Sequence, residues 1–135
     1  DGCMYHPHVL AMQIGQTLML KNSDQFLHNV HSLAEKNPAF NFAQPGKGSK
    51  PVKDLKVFEI FHVKCDVHPW MSAYIGVFDH PYFAVTGEDG TFLITGLPPG
   101  KYTLTAWQEK YGMKDVEVKV EAGKGTTAEF SFKDE

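Results

Sequence analysis

Cysteine is scarce in this chain, with only Cys3 and Cys65 in 135 residues. That excludes a disulfide framework: one bridge at most can form, and it would consume the Cys65 thiolate. No apolar run approaches the ~18 residues needed to span a bilayer, although 42% of the residues are hydrophobic. The formal net charge is only −3, and no block of Lys or Arg is interleaved with aromatics. Neither nucleic acid nor an anionic membrane surface is therefore an expected partner. Helical periodicity is lacking as well, with no 3.6-residue pattern sustained beyond about ten residues. Repeats and low-complexity tracts are not found. What remains is a chain long enough for one domain, or one domain with a substantial appendage, around a real core.

The segments that are present read as β-strands. Phe, Tyr, Val, Thr and Ile fill short runs punctuated by Gly, Pro, Asn and Asp, which predicts an all-β fold. Strands are expected over 9–14, 17–21 and 27–33, and over 57–61 and 73–78. Residues 34–54 carry Pro38, Pro45, Gly46, Gly48 and Pro51 and are expected to be irregular. Composition changes after Asp79-His80-Pro81, so a boundary is drawn between 1–80 and 81–135. In the second part Glu88-Asp89-Gly90 signals a hairpin between 83–85 and 92–94. Leu97-Pro98-Pro99-Gly100 then leads into a strand over 101–107 with Tyr102, Leu104 and Ala106 on one face. Val116, Val118 and Val120 alternate with Glu117 and Lys119, and a last strand is expected over 127–132.

The chemistry is concentrated in Cys65-Asp66-Val67-His68-Pro69-Trp70-Met71, a C-x2-H-x2-M run. A soft thiolate, an imidazole and a thioether together suit copper better than any other common metal. Zinc rarely takes a thioether, and calcium and magnesium want oxygens that this run hardly offers. Pro69 makes the segment a tight loop, with Cys65 closing one strand and Met71 opening the next. A mononuclear site needs a second imidazole, and the upstream sources are His28 and His31. Spacing favours His28. Each donor has a bland reading beside this one: a lone Cys is commonly an inert buried hydrophobe, and a lone Met fills core.

The order of Tyr5-His6-Pro7, Ile14-Gly15-Gln16-Thr17, Asn22 and His28-Asn29-Val30-His31, followed by the ligand loop, resembles the cupredoxins, and among them the amicyanins. The resemblance covers roughly residues 3–78. It implies a Greek-key β-sandwich holding one type 1 copper ion per chain, Cu(I)/Cu(II). His28, Cys65 and His68 would be equatorial ligands, Met71 the weak axial one, and Asn29 the residue tying the two ligand loops together. It further implies a one-electron carrier that meets unidentified redox partner proteins in the periplasm or outside the cell. Val67 stands where the amicyanin loop has a proline, so its N–H is free to meet the Cys65 sulfur. Residues 38–54 depart from that family's central region, and strand material preceding the stretch at Cys3 is lacking.

Residues 86–92 and 97–104 resemble the latter part of a carboxypeptidase regulatory-like, transthyretin-type β-sandwich. That resemblance implies stability and contacts, without catalysis. Only about four strands of the pattern are present, and half a sandwich would leave open edges. Completion by residues upstream of Asp1, in a processed or trimmed chain, is the expectation taken here. The full expectation is thus a cupredoxin β-sandwich followed by a partial Ig- or transthyretin-like one. The rival function is copper handling, with Cys3, Met4, His6 and His8 as a second soft-donor site. An enzyme is not expected: Cys65 beside a histidine could be a nucleophile pair, but no orienting group or oxyanion pocket is legible.

Overall fold

A computed structural model of the chain describes residues 5, 7–23, 28–68 and 70–132. Among these the secondary structure is all β, and no helix is long and apolar enough to cross a membrane. The chain divides into two units, Asp1–Leu93 and Ile94–Glu135.

The first unit contains β1 (Val9–Gln13), β2 (Leu18–Asn22), β3 (His28–Ser32), β4 (Asn41–Gln44), β5 (Gly48–Val52), β6 (Glu59–Lys64) and β7 (Ser72–Phe78). Five of them form one sheet in the order β1-β7-β6-β3-β4, and β2 pairs with β5 in a second. β1 runs parallel to β7, and the other pairings are antiparallel. Period-two alternation decides which side chains face inward. On β2 these are Leu18, Leu20 and Asn22; on β6 Glu59, Phe61 and Val63; on β7 Ala73, Ile75 and Val77. The apolar ones among them, with Met12, Val30, Phe40, Val52 and Leu55, form one buried hydrophobic core. This is a cupredoxin-like β-sandwich with additional small sheets.

Residues 34–54 are not irregular throughout, because β4 and β5 lie within them. Pro51 sits inside β5, opposite Met19. It lacks an N–H, but among the described residues β5 pairs with β2 alone and is thus an edge strand, where proline is tolerated. The loop before β4 is held by Glu59, whose carboxylate accepts the backbone N–H groups of Glu35, Lys36 and Asn37 at 2.7, 3.0 and 3.0 Å. The Asn37 amide donates to the same carboxylate and accepts from Lys56 N and Val57 N. Burial pushes the Glu59 carboxyl up, but the N–H groups of Asn37, Glu35 and Lys36 and the Asn37 amide outweigh it and hold it below its ordinary value.

At the far end of β7, Gly76 leaves room for the Phe78 ring, which a Cβ there would approach to 2.8 Å. Phe78 stacks on Phe83 at 4.7 Å between centroids. The predicted turn at 88–90 forms, with Gly87 N donating to Thr91 O at 2.9 Å. The flanking strands over 83–85 and 92–94 do not, since no ladder extends from that single rung.

In the second unit β8 (Gly100–Gln108) and β9 (Gly112–Val120) form an antiparallel hairpin. Tyr102 faces Val118 and Leu104 faces Val116, as the alternation predicts. The expected strand over 127–132 makes no backbone ladder. The Thr126 hydroxyl donating to Lys119 O, and Lys114 Nζ donating to Ser131 O, nevertheless set that segment antiparallel beside β9.

Candidate metal centre

The inward rows of β6 and β7 run on past the ends of their strands. Glu59, Phe61 and Val63 are followed at the next inward step by Cys65, 1% exposed. Val77, Ile75 and Ala73 are followed by Met71, 2% exposed. Cys65 N donates to Met71 O at 3.2 Å, extending the β6–β7 ladder by one rung, and Met71 N donates to His68 O at 2.9 Å. The run 66–70 is therefore a tight loop closed at its base, as its sequence predicts. Pro69 itself lies outside the described residues.

The same alternation separates the two upstream histidines. His28 shares the inward row of β3 with Val30 and Ser32 and is 3% exposed. His31, of opposite parity, is half-buried and points its Nδ1 at the Asp66 carboxylate, 3.2 Å away.

His28, Cys65 and His68 come together with one donor atom each, all within 4.8 Å of one another, and they are the one such cluster among the described residues. His28 Nδ1 lies 3.1 Å from His68 Nδ1, and Cys65 Sγ lies 3.8 Å from His68 Nδ1. Donors sharing one ion at bond lengths of about 2.0–2.3 Å sit roughly 3.3–3.8 Å apart, so a single transition-metal ion fits between these three. Two imidazoles and a thiolate, with a buried thioether on the adjoining rung, favour copper over zinc. Cys65 is a free thiol.

Asn29 ties the two donor-bearing segments together, as the resemblance implies. Its Oδ1 accepts Asp66 N at 2.6 Å, and its Nδ2 donates to Asp66 Oδ2 at 2.9 Å and Asn41 Oδ1 at 2.8 Å. The Asn29 hydrogen bond, then the hydrogen bond and charge of His31 and the charge of Lys64, hold the Asp66 carboxyl below its usual range. The Cys65 sulfur receives the backbone N–H of Asn29 at 3.4 Å. Among the described hydrogen bonds this is the backbone donor on the sulfur, where the sequence led us to expect the Val67 N–H. The Tyr5 hydroxyl donates to the Asn29 carbonyl. Sequence reasoning gave no role to Tyr5, Asn41 or Asp66; the carboxylate between Cys65 and His68 was the one visible signal.

Cys3, Met4 and His6 of the proposed second soft-donor site lie outside the described residues. His8, the remaining member, is exposed and has Nδ1 at 3.0 Å from the Ser72 carbonyl oxygen.

Comparison with known proteins matches residues 69–133 to the carboxypeptidase regulatory-like domain, a little under half of the chain. That stretch starts inside the ligand loop and includes β7, which here is a central strand of the first sheet. No curated protein matches. Among solved structures, the novel purple cupredoxin from Nitrosopumilus maritimus is similar at 22% identity and TM-score 0.48, over 57% of this chain and 85% of that one. A methionine-to-alanine mutant of amicyanin in its Cu(I) form is similar at 20% identity and TM-score 0.48, over 57% and 75%. The copper-containing nitrite reductase (NirK) from Thermus scotoductus SA-01 superposes at TM-score 0.53 and 20% identity, over 58% of this chain but only 21% of that one. The likeness to the last of these is one of fold, and by its own sheets the first unit is a cupredoxin-like sandwich with a His–Cys–His cluster at the end of its larger sheet.

Proposed function

We propose that the chain is a one-electron carrier built on a mononuclear type 1 copper centre, one ion per chain, with His28, Cys65 and His68 as equatorial ligands and Met71 as the axial one. The observation that carries this reading is the convergence of His28, Cys65 and His68 donors within 4.8 Å. When bound, copper supplies the Cu(I)/Cu(II) couple. The chain's own contribution is rigidity. His28 belongs to a strand, and Cys65 and Met71 are joined by a backbone hydrogen bond at the strand ends. Asn29 fixes one segment against the other through Asp66. Ligands held this firmly change little between oxidation states, which keeps the reorganisation on electron transfer small.

His68 is half-buried, and its ring centroid lies 5.1 Å from that of Trp70, which is 59% exposed. We assign electron exit to His68. Exposed Val67 and Trp70 beside it offer a small apolar surface suited to brief encounters with a redox partner protein. In this reading the chain catalyses no reaction of its own and works in the periplasm or outside the cell.

One equivalent of copper(II) added to reduced apoprotein should produce an intense thiolate-to-copper charge-transfer band, blue or green, that ascorbate bleaches reversibly. A weak visible spectrum, with an electron paramagnetic resonance signal of nitrogen and oxygen ligation, would overturn the reading.

A further inference from the structure

The β3–β6 ladder contains two rungs, His31↔Lys64 and Ser32↔Val63. Continued in register it would set Asn29 against Asp66, but the chain leaves the ladder at Cys65. Asn29 would then have an N–H and a C=O without strand partners, in a residue only 8% exposed. Two side chains take the place of the missing rung. The N–H meets Cys65 Sγ at 3.4 Å, and the carbonyl accepts the phenol of Tyr5. The Tyr5 ring packs on the buried core, so the hydroxyl is delivered from a fixed platform.

We propose that Tyr5 is a positioning residue for the copper thiolate: its hydroxyl holds the Asn29 main chain against Cys65 and so sets the hydrogen-bond donation to the sulfur, and with it the reduction potential. This rests on the copper reading above. Donors around the thiolate favour the more charge-rich reduced centre, so the Tyr5 hydroxyl raises the potential.

The test is Tyr5→Phe, which keeps the ring and removes only the hydroxyl. The variant should bind copper with the intensity of the wild type. Its Cu(I)/Cu(II) ratio at a fixed ambient potential should fall about tenfold, about 59 mV for one electron. Its charge-transfer band should move to longer wavelength, because a less hydrogen-bonded sulfur is the better electron donor. A copper-loaded variant with potential and band both unmoved overturns the assignment. A second measurement needs no variant. In the diamagnetic copper(I) form of the wild type, the Tyr5 hydroxyl proton, held on the Asn29 carbonyl, should exchange slowly with solvent, and fast exchange would overturn the assignment. A wild-type protein lacking the charge-transfer band removes the copper reading itself, a failure distinct from either result on Tyr5.

Discussion

The two units use one sequence device and reach different ends with it. In the first, alternating apolar residues on β6 and β7 become buried rows, with Phe61 at 3%, Ile75 at 4% and Val77 at 0% exposure. In the second, Tyr102, Leu104, Val116 and Val118 alternate as cleanly, yet among the described residues of that unit none is fully buried. Alternation chooses the face of a strand; burial depends on a second layer across from it. The first unit has that layer in β2–β5, and this is what lets a row of inward side chains end in the buried donors of the proposed metal centre.

The sharpest way to break this comparison is at the donors. His28→Ala and Cys65→Ser should each abolish the charge-transfer band, whereas His31→Ala should retain it; a band lost only with His31 would refute the parity argument. Next in size is the contrast in packing. Ile75→Ala should destabilise by about 2–5 kcal/mol in denaturant titration, as large-to-small changes in cores do. Leu104→Ala, on the half-buried face of β8, should remove less than about 1.5 kcal/mol, since little area is withdrawn from water there. Equal losses would mean that the second unit is buried in solution.

A smaller effect concerns the Glu59 latch. Its carboxyl is held low in the folded protein, so its contribution is complete above the unfolded carboxylate value near 4.3 and is lost as pH falls through the lower folded value. Glu59→Gln should therefore cost about 2 kcal/mol at pH 7, and the cost should shrink as acid protonates the folded wild-type carboxyl. A cost that does not change with pH would assign the effect to packing instead. Least of all, His31→Gln should leave the unfolding midpoint nearly unmoved in denaturant titration, because its Asp66 partner is solvent-exposed.

Much of this was legible beforehand. The C-x2-H-x2-M run and the His-Asn segment pointed to His28, Cys65, His68 and Met71, and strand-like alternation placed β1 to β3 and β6 to β9 within a few residues. β4 and β5 were hidden because Gly48 and Pro51 read as breakers; their tolerance in a strand depends on which neighbours that strand has, a tertiary fact. Asp66 and Tyr5 were hidden for a related reason: each answers a backbone group left over where a ladder stops, and no local pattern marks that place.

The bond from Cys65 N to Met71 O has a consequence for how such a protein can be rebuilt. Two of the proposed ligands are rungs of the sheet, so residues 66–70 form an interchangeable cassette between fixed posts. A loop of different length could be spliced in, moving the remaining histidine and the contact surface while leaving the sulfur donors where they are. A single residue inserted within β6 would do the opposite, turning Cys65 to the outer face and leaving the loop intact around an empty centre.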